Sequence, residues 1–258
     1  MAASLRIGCV KYLNARPLIH GWPGEVVFED PTALCLKLAR GELDVALASS
    51  FEFLRNPIYR IVDGVSISSA GPVYSVIVAH ARESLELDEI ELDPASQTSV
   101  AMLQYLIAKG GRKFSPVEIA SDKLAPLPAN RARLLIGDQA IRFRQRFGDT
   151  YSYWDLGKKW HDVVGSPFVY ALWLVRPELA KPGEVADQLR ALRDENLTKL
   201  SELIALEKDF DPQFCVRYYR ENIDFAFGEN EKEGLRTFAK LCENHGLLPE
   251  RPVKFALV

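Results

Sequence analysis

VYSVIVA at residues 73–79 and FVYALWLV at residues 168–175 are two long strand-like runs that bracket the middle of the chain. Both are rich in β-branched and aromatic residues, which is typical of strands. A chain that crosses from one lobe into a second lobe and later returns needs two such strands. We therefore expect a two-lobed protein, in which residues 80–175 form an inserted lobe and residues 1–79 and 176–258 form a discontinuous first lobe.

The rest of the sequence alternates between short apolar runs and stretches with helical periodicity. This alternation is typical of an α/β fold with a mainly parallel sheet. Helices are predicted at residues 32–40, with Thr32 as the cap, at residues 98–108, and throughout the chain after Pro182. An acidic run at residues 81–89 is expected to link the two lobes. The other predicted strands cover residues 6–10, 25–28, 44–48, 59–62, 90–92, 117–120 and 134–136.

Charge and hydropathy exclude several classes of protein. The 258 residues include 32 basic and 35 acidic residues, and the basic residues form no stripe that would indicate nucleic-acid binding. The longest strongly apolar run, residues 168–175, is far shorter than the roughly 20 residues that a membrane-spanning helix needs. Arg6 and Lys11 would interrupt the apolar core of a signal peptide, so we expect a cytoplasmic protein that does not contact a membrane.

The cysteines and histidines indicate no metal or redox site. No C-x-x-C pair is present, and the four histidines are scattered along the chain. The sequence also contains no G-x-S-x-G elbow, Walker loop, G-x-G-x-x-G fingerprint or H-E-x-x-H motif. We expect buried, reduced thiols at Cys9, Cys35, Cys215 and Cys242.

The loop KYLNARPL, residues 11–18, directly follows the first predicted strand. In open α/β sheets, ligands normally bind at the carboxyl ends of the strands. Asn14 offers two donors and an acceptor in a loop that is otherwise apolar enough to be buried. Its side chain can therefore contact a ligand, or it can stabilise the loop through a local Asx-turn or a helix cap.

Hydroxyl groups gather where two helices are predicted to begin. Ser49 and Ser50 follow the strand at 44–48, whereas Ser96, Thr98 and Ser99 lie at the start of the helix at 98–108. Hydroxyls and free N–H groups at a helix start favour anions such as carboxylates. Each hydroxyl can instead be an ordinary N-cap, and one near residue 98 is expected to be. One helix start from each lobe would suit a dicarboxylate.

Three further positions are candidates for the cleft. Gly71 forms a tight turn before the crossover strand, and Ser75 lies on that strand, on one of its two faces. Asp138 follows the strand at 134–136, where it can cap the next helix or face the cleft as an acceptor or base. Aromatic side chains that could wall a flat ring, or pack in the core, are Trp154, Trp160 and Phe168. The residues alone predict a two-lobed binder of anions.

Six motifs along residues 5–175 together resemble the chorismate dehydratases of the menaquinone biosynthesis family. They are KYLNARPL, GELDVALASSFEFL, GPVYSV, SQTSVAML, IGDQAI and WDLGKKWHDVVGSPFVYALW. A sister enzyme of the same pathway, the 1,4-dihydroxy-6-naphthoate synthase, opens with an SPCPNDTF-like loop and uses a histidine base. The YLNxRPL loop is present here instead, which favours the dehydratase.

The resemblance implies a type II periplasmic-binding-protein fold with a ligand cleft between its lobes. It also implies a lyase of the futalosine pathway that converts chorismate into 3-[(1-carboxyvinyl)oxy]benzoate and water, without a metal or an organic cofactor. The family's functional asparagine corresponds to Asn14, and its functional serine corresponds to Ser75. The C-terminal helices carry no matching motif, so the resemblance assigns no role to them.

We hypothesise that Asn14 and Ser75 hydrogen-bond the departing hydroxyl or the enolpyruvyl carboxylate of chorismate. Ser50, Thr98 and Ser99 would then hold carboxylates at helix starts. The base would be the substrate's own side-chain carboxylate, with Asp138 as the alternative. Rival functions are a non-catalytic solute-binding protein for small anions and the sister synthase. The oligomeric state stays open between monomer and homodimer.

Overall fold

The computed structural model describes residues 5–81, 88–93, 96–128 and 130–258. Its framework is two five-stranded sheets with flanking helices, which is the expected α/β class. The predicted acidic linker at residues 81–89 lies mostly outside the described residues.

The first sheet has the strand order β2-β1-β3-β10-β4. Strand β1 is parallel to β2 and β3, whereas β10 is antiparallel to β3 and β4. Its strands are β1 (Ile7–Cys9), β2 (Val26–Phe28), β3 (Val45–Ser49), β4 (Arg60–Ser69) and β10 (Phe168–Val175).

The second sheet has the order β7-β6-β8-β5-β9. Strand β6 is parallel to β7 and β8, whereas β5 is antiparallel to β8 and β9. Its strands are β5 (Val76–Ala81), β6 (Glu89–Leu92), β7 (Ser115–Glu118), β8 (Arg131–Ile136) and β9 (Tyr151–Asp155).

The two crossover strands correct two expectations. Both sheets are mixed rather than mainly parallel, because β5 and β10 each arrive from the other half of the molecule and run against their neighbours. Strand β5 belongs to the second sheet and β10 to the first, so each lies in the sheet opposite to the one that the predicted boundaries at 79/80 and 175/176 imply. A boundary just before β5 and another between β9 and β10 agree with the pairing, and we propose these as the limits of the lobes.

Ten α-helices complete the described part of the chain. Short 3₁₀ turns at Leu13–Ala15 and Gly148–Thr150 and a π-helical turn at Tyr218–Asn222 join some of them. The helices are α1 (Arg16–Ile19), α2 (Pro31–Ala39), α3 (Ser50–Arg55), α4 (Gln97–Lys109), α5 (Gly137–Phe147), α6 (Leu156–Val164), α7 (Pro182–Thr198), α8 (Leu200–Ala205), α9 (Pro212–Arg217) and α10 (Glu229–Asn244).

Helix α2 begins one residue earlier than the sequence predicts. Asp30 is its cap, since the Asp30 carboxylate accepts a hydrogen bond of 2.9 Å from the backbone N–H of Ala33. Pro31 takes the first helical position, where its missing N–H costs nothing. Thr32 therefore lies within the first turn and is not the cap.

The C-terminal helices pack against the first half of the chain. Helix α7 lies along α1, and the buried Asn196 amide donates hydrogen bonds of 3.0 and 2.8 Å to the carbonyls of Pro17 and His20. These carbonyls end the segment that begins with the KYLNARPL loop. The C-terminal third of the chain therefore fixes the loop that carries Asn14.

Candidate functional site

A cavity of about 80 Å³ lies between the two sheets. It lies where the first sheet's β1 and β3 end and where β5 and α4 begin, as the rule for ligand sites in α/β sheets predicts. The predicted site residues that line it are Asn14, Ser49, Ser75, Ser96, Thr98 and Ser99. Tyr12, Gln97 and Tyr170 line it as well, although the sequence singled out none of them.

The cavity is polar at its hydroxyl and amide groups and apolar elsewhere. Valine, leucine, isoleucine and alanine side chains from both halves make up much of the wall. Within the described part of the chain, no lining residue carries a charged side chain. An anion bound here would therefore be held by hydrogen bonds and by the N–H groups of helix starts rather than by an ion pair.

Ser75 is fully buried at the point where the chain passes into β5. Tyr74, immediately before it, has a φ of 63°, a left-handed conformation that is uncommon for a residue other than glycine. The Asp155 carboxylate holds this turn by accepting hydrogen bonds of 3.0 Å from the Val73 N–H and 2.7 Å from the Tyr74 N–H. The direction of the Ser75 side chain is thus fixed by a restrained turn.

The Asn14 amide is partly buried in the 3₁₀ turn at Leu13–Ala15. Its Oδ1 atom is buried and has no hydrogen-bond partner among the described residues. The turn itself is held at Leu13, since the Leu13 N–H donates to Asp138 at 2.7 Å and the Leu13 carbonyl accepts from the Tyr219 hydroxyl at 2.7 Å. Asn14 makes no Asx-turn bond, so its amide oxygen is available to a ligand.

Ser49 and Thr98 come from opposite sides of the cavity and hydrogen-bond each other directly through their hydroxyls. Thr98 Oγ1 also accepts a 3.3 Å hydrogen bond from the backbone N–H of Phe51. Ser49 does not cap α3. The pair therefore joins the start of α3 to the start of α4 at the wall of the cavity.

The start of α4 has no side-chain cap. Ser96 occupies the cap position without making the cap bond, and its buried hydroxyl has no partner. The buried amide oxygen of Gln97 is also without one. The expectation that a hydroxyl near residue 98 caps this helix is wrong, because Thr98 instead bonds Ser49. These unpartnered groups line the cavity, where they can hydrogen-bond a ligand.

Ser50 and Gly71 do not line the cavity. The Ser50 hydroxyl is fully buried and donates a 2.6 Å hydrogen bond to the Val169 carbonyl of β10, which fastens α3 to the sheet. The Gly71 carbonyl accepts from the Ser69 hydroxyl at 3.2 Å. These positions, predicted to bind substrate, have structural contacts instead.

Asp138 lies at the second position of α5, outside the residues that line the cavity. Its carboxylate reaches across to the Leu13 N–H and does not cap its own helix. Burial raises the pKa of Asp138 to about 6, against the opposing effects of the Leu13 hydrogen bond and of Arg16 and Arg142. The geometry makes it a link between the two halves of the molecule.

Of the two alternatives for the predicted aromatic residues, core packing is confirmed for Trp160 and Phe168. Trp160 and Phe168 are buried in the core, where their rings meet edge to face at 5.0 Å. Trp154 packs against His80. Tyr12 and Tyr170 take the place beside the cavity, and the Tyr170 hydroxyl lies 3.0 Å from that of Ser69.

The four cysteines are all free and buried, as predicted. Burial raises the pKa of Cys9 to about 12, so its thiol is not a nucleophile. Among the described residues, no helix combines the length and the apolar character that crossing a membrane requires.

Two curated relatives are similar over most of the chain. The chorismate dehydratase of Thermus thermophilus is 29% identical over 256 residues, which cover 91% of this chain and 93% of that protein. The chorismate dehydratase of Campylobacter jejuni is 25% identical over 235 residues, with coverages of 90% and 91%.

Solved structures share the fold. A crystal structure of a protein from Archaeoglobus fulgidus matches with a TM-score of 0.71 at 20% identity and covers 95% of this chain and 98% of that one. The periplasmic aliphatic sulphonate binding protein of Escherichia coli matches with a TM-score of 0.62 at 16% identity, with coverages of 95% and 88%. The two-lobed, type II periplasmic-binding-protein fold expected from the sequence is confirmed. The family model for menaquinone biosynthesis matches residues 5–244, and the chain therefore belongs to the menaquinone biosynthesis family.

Proposed function

We propose that the protein is a chorismate dehydratase, which converts chorismate into 3-[(1-carboxyvinyl)oxy]benzoate and water. The observation that carries the proposal is the meeting of Asn14 and Ser75 in one uncharged cavity, because these are the residues to which the dehydratase motifs assign function. The relatives named chorismate dehydratase support the same reaction. We further propose that the protein works in the cytoplasm without a metal or an organic cofactor.

Chorismate carries two carboxylates, and the cavity offers two different environments for them. The start of α4, with Ser96, Thr98 and Ser99, would hold one carboxylate through hydroxyls and free N–H groups. The other, on the enolpyruvyl side chain, would lie toward Asn14 and Ser75. Because no charged side chain among the described residues lines the cavity, neither carboxylate would be neutralised by an ion pair.

An unneutralised carboxylate suits the role of base. Burial in apolar surroundings raises the pKa of a carboxyl group, so the enolpyruvyl carboxylate would be a stronger base in the cavity than in water. It would take the proton from the ring carbon that bears the ether oxygen. The electrons of that C–H bond form the new ring double bond, the neighbouring C–O bond breaks, and the hydroxyl leaves as water with the proton that the carboxylate took. The ring becomes aromatic, and the charge of the substrate is unchanged.

The protein's own part in this reaction is mainly orientation. Asn14 Oδ1, which lacks a partner, would accept a hydrogen bond from the departing hydroxyl, and Ser75 would donate one to it as charge develops. Asp138 is the less suitable base, since its carboxylate bonds the Leu13 N–H and does not line the cavity.

The test is to incubate the purified protein with chorismate and to follow aromatic product by absorbance and mass spectrometry. We expect conversion with loss of one water. Asn14→Asp should lower turnover by about 100-fold or more, because it puts a like charge beside a substrate carboxylate and removes an oriented amide. Asn244→Asp, at the exposed end of α10, is the matched control and should behave as wild type.

Each other outcome has a clear meaning. Binding of chorismate without conversion would favour a solute-binding protein, the function of the aliphatic sulphonate binding protein with the same fold. Conversion of the cyclic futalosine derivative instead would favour the sister synthase. Turnover by Asn14→Asp at nearly the wild-type rate would overturn the role of Asn14.

A further inference from the structure

A tyrosine from the C-terminal third of the chain reaches the same site. Tyr218 is fully buried at the start of the π-helical turn that follows α9. Such turns are rare and occur frequently at functional sites. Its ring stacks on that of Phe214 at 5.7 Å with an interplanar angle of 15°, so its direction is fixed by packing. The family motifs end near residue 175 and assign nothing here.

The Tyr218 hydroxyl donates a 2.7 Å hydrogen bond to the Ser75 hydroxyl. A serine hydroxyl has one proton to give, and here its oxygen is already used as an acceptor. Within the described residues, the Ser75 hydroxyl donates to the Val73 carbonyl at 3.4 Å, which is a long and weak hydrogen bond. The Ser75 hydroxyl can therefore redirect its hydrogen bond to a better acceptor in the cavity that Ser75 lines.

Burial raises the pKa of Tyr218 well above its usual value, although the hydrogen bond to Ser75 opposes this effect. The phenol therefore remains protonated and remains a donor. Asn14 lines the same cavity as Ser75, and its buried Oδ1 atom has no hydrogen-bond partner among the described residues. The Ser75 hydroxyl and the Asn14 amide oxygen are thus both available to one ligand.

We propose that Tyr218 is a positioning residue of the reaction, which turns the Ser75 proton toward the substrate hydroxyl. The inference rests on the proposed dehydratase function and deepens it. Ser75 then presents a donor and Asn14 Oδ1 presents an acceptor, which matches the two hydrogen-bonding roles of a hydroxyl group. A substrate that lacks this hydroxyl would leave both groups unpaired and would bind less well.

The test compares Tyr218→Phe with wild type in the chorismate assay. This change keeps the packed ring and removes only the hydroxyl. We expect kcat to fall about tenfold or more with KM changed by less than about threefold, since the lost bond orients Ser75 for the departing hydroxyl. Tyr59→Phe is the matched control, because Tyr59 is also fully buried but its hydroxyl contacts only the Asn56 amide at 3.5 Å.

A double-mutant cycle with Ser75→Ala separates positioning from a general structural effect. If Tyr218 acts through Ser75, the Tyr218→Phe change should cost little further activity in the Ser75→Ala background. Equal losses in both backgrounds, or wild-type kcat for Tyr218→Phe, would overturn the inference. The two failures are distinguishable: no conversion of chorismate by wild type would overturn the proposed function, whereas conversion by wild type with an unchanged kcat for Tyr218→Phe would overturn only the role of Tyr218.

Discussion

Asp138 is a carboxylate whose surroundings disfavour its charge. Desolvation outweighs Arg16 and Arg142 and raises its pKa to about 6, from an ordinary 3.8. The folded protein therefore retains this proton at a pH where the unfolded chain has lost it. Through this group the wild type loses stability as the pH rises from about 4 to about 6, and the penalty is fully present above about pH 6.

Asp138→Asn should remove that pH dependence. The asparagine oxygen can still accept from the Leu13 N–H, but it carries no charge at any pH. We expect the melting temperature of the variant, relative to wild type, to be higher at about pH 7.5 than at about pH 5. The measurement is thermal unfolding at both pH values, with turnover of chorismate retained.

Asp209→Asn provides the control for this prediction, because Asp209 is exposed and pairs with Arg142 at 3.0 Å. Its stability difference from wild type should be small at both pH values. A loss of turnover in Asp138→Asn with normal folding would instead support Asp138 as the base.

At the level of single residues, motif and position predicted Asn14 and Ser75 but not Tyr218. Asn14 lies in the loop after β1, and Ser75 directly precedes β5, so the local sequence predicts that both lie near strand ends. The distance of 143 residues between Tyr218 and Ser75 gives the sequence no local pattern by which to join them. The Ser50 hydroxyl bonds the Val169 carbonyl of β10, whereas no periodicity in the sequence separates a hydroxyl that faces β10 from one that faces the cavity.

The turn before β5 and the start of α6 depend on one side chain. Asp155 accepts from the Val73 and Tyr74 N–H groups and also caps α6 by accepting from the Lys158 N–H at 3.0 Å. The guanidinium of Arg144 covers the Tyr74 ring at 4.2 Å, on the outer side of the same turn. The element that ends with Ser75 is therefore fixed from the second half of the molecule.

Asp155→Ala should destabilise the protein by about 2–3 kcal/mol, since one cap and two further hydrogen bonds are lost. It should also lower chorismate turnover, because Ser75 follows the released turn. Asp30→Ala removes a helix cap alone at α2 and should cost about 1 kcal/mol. Urea unfolding gives both values, and equal losses for the two variants would contradict the role of Asp155 in the turn.

Strand β9 is an element that the periodicity of the sequence did not predict. Its sequence YSYWD does not alternate strictly between polar and aromatic residues, and all five positions are partly exposed at the edge of the sheet. For Trp154, the sequence predicts either core packing or a place in a ligand wall, and it predicts no strand at residues 151–155. Pairing with β5, itself assigned to the wrong lobe, is a long-range contact that local pattern does not encode.

Across the whole molecule, the two halves touch at Tyr12 and Gly137. A Cβ atom on Gly137 would lie 2.7 Å from the Tyr12 ring, and the residue has a φ of +58°. Gly137→Ala should therefore hold the halves apart near the cavity. We expect a several-fold higher KM for chorismate, because the two sides of the cavity would fit the substrate less closely.

Gly111→Ala is the control that separates contact from backbone cost. Gly111 has a φ of +69°, and nothing lies within 4 Å of its added Cβ. It should share the loss of stability of about 1 kcal/mol expected for a left-handed alanine, with unchanged KM. Equal KM values for Gly137→Ala and wild type would contradict the role of the Tyr12–Gly137 contact in shaping the cavity.

Among the described residues, no charged side chain lines the cavity, and this also determines which anions the site does not bind. A pocket built on arginine or lysine attracts any abundant inorganic anion, and its occupancy falls with ionic strength. A pocket of hydroxyls, amides and apolar side chains gives phosphate or sulfate little to gain. Its selectivity would depend on the outline of a ring and the position of its hydroxyl, and it would persist in the salt and metabolite mixture of a living cell.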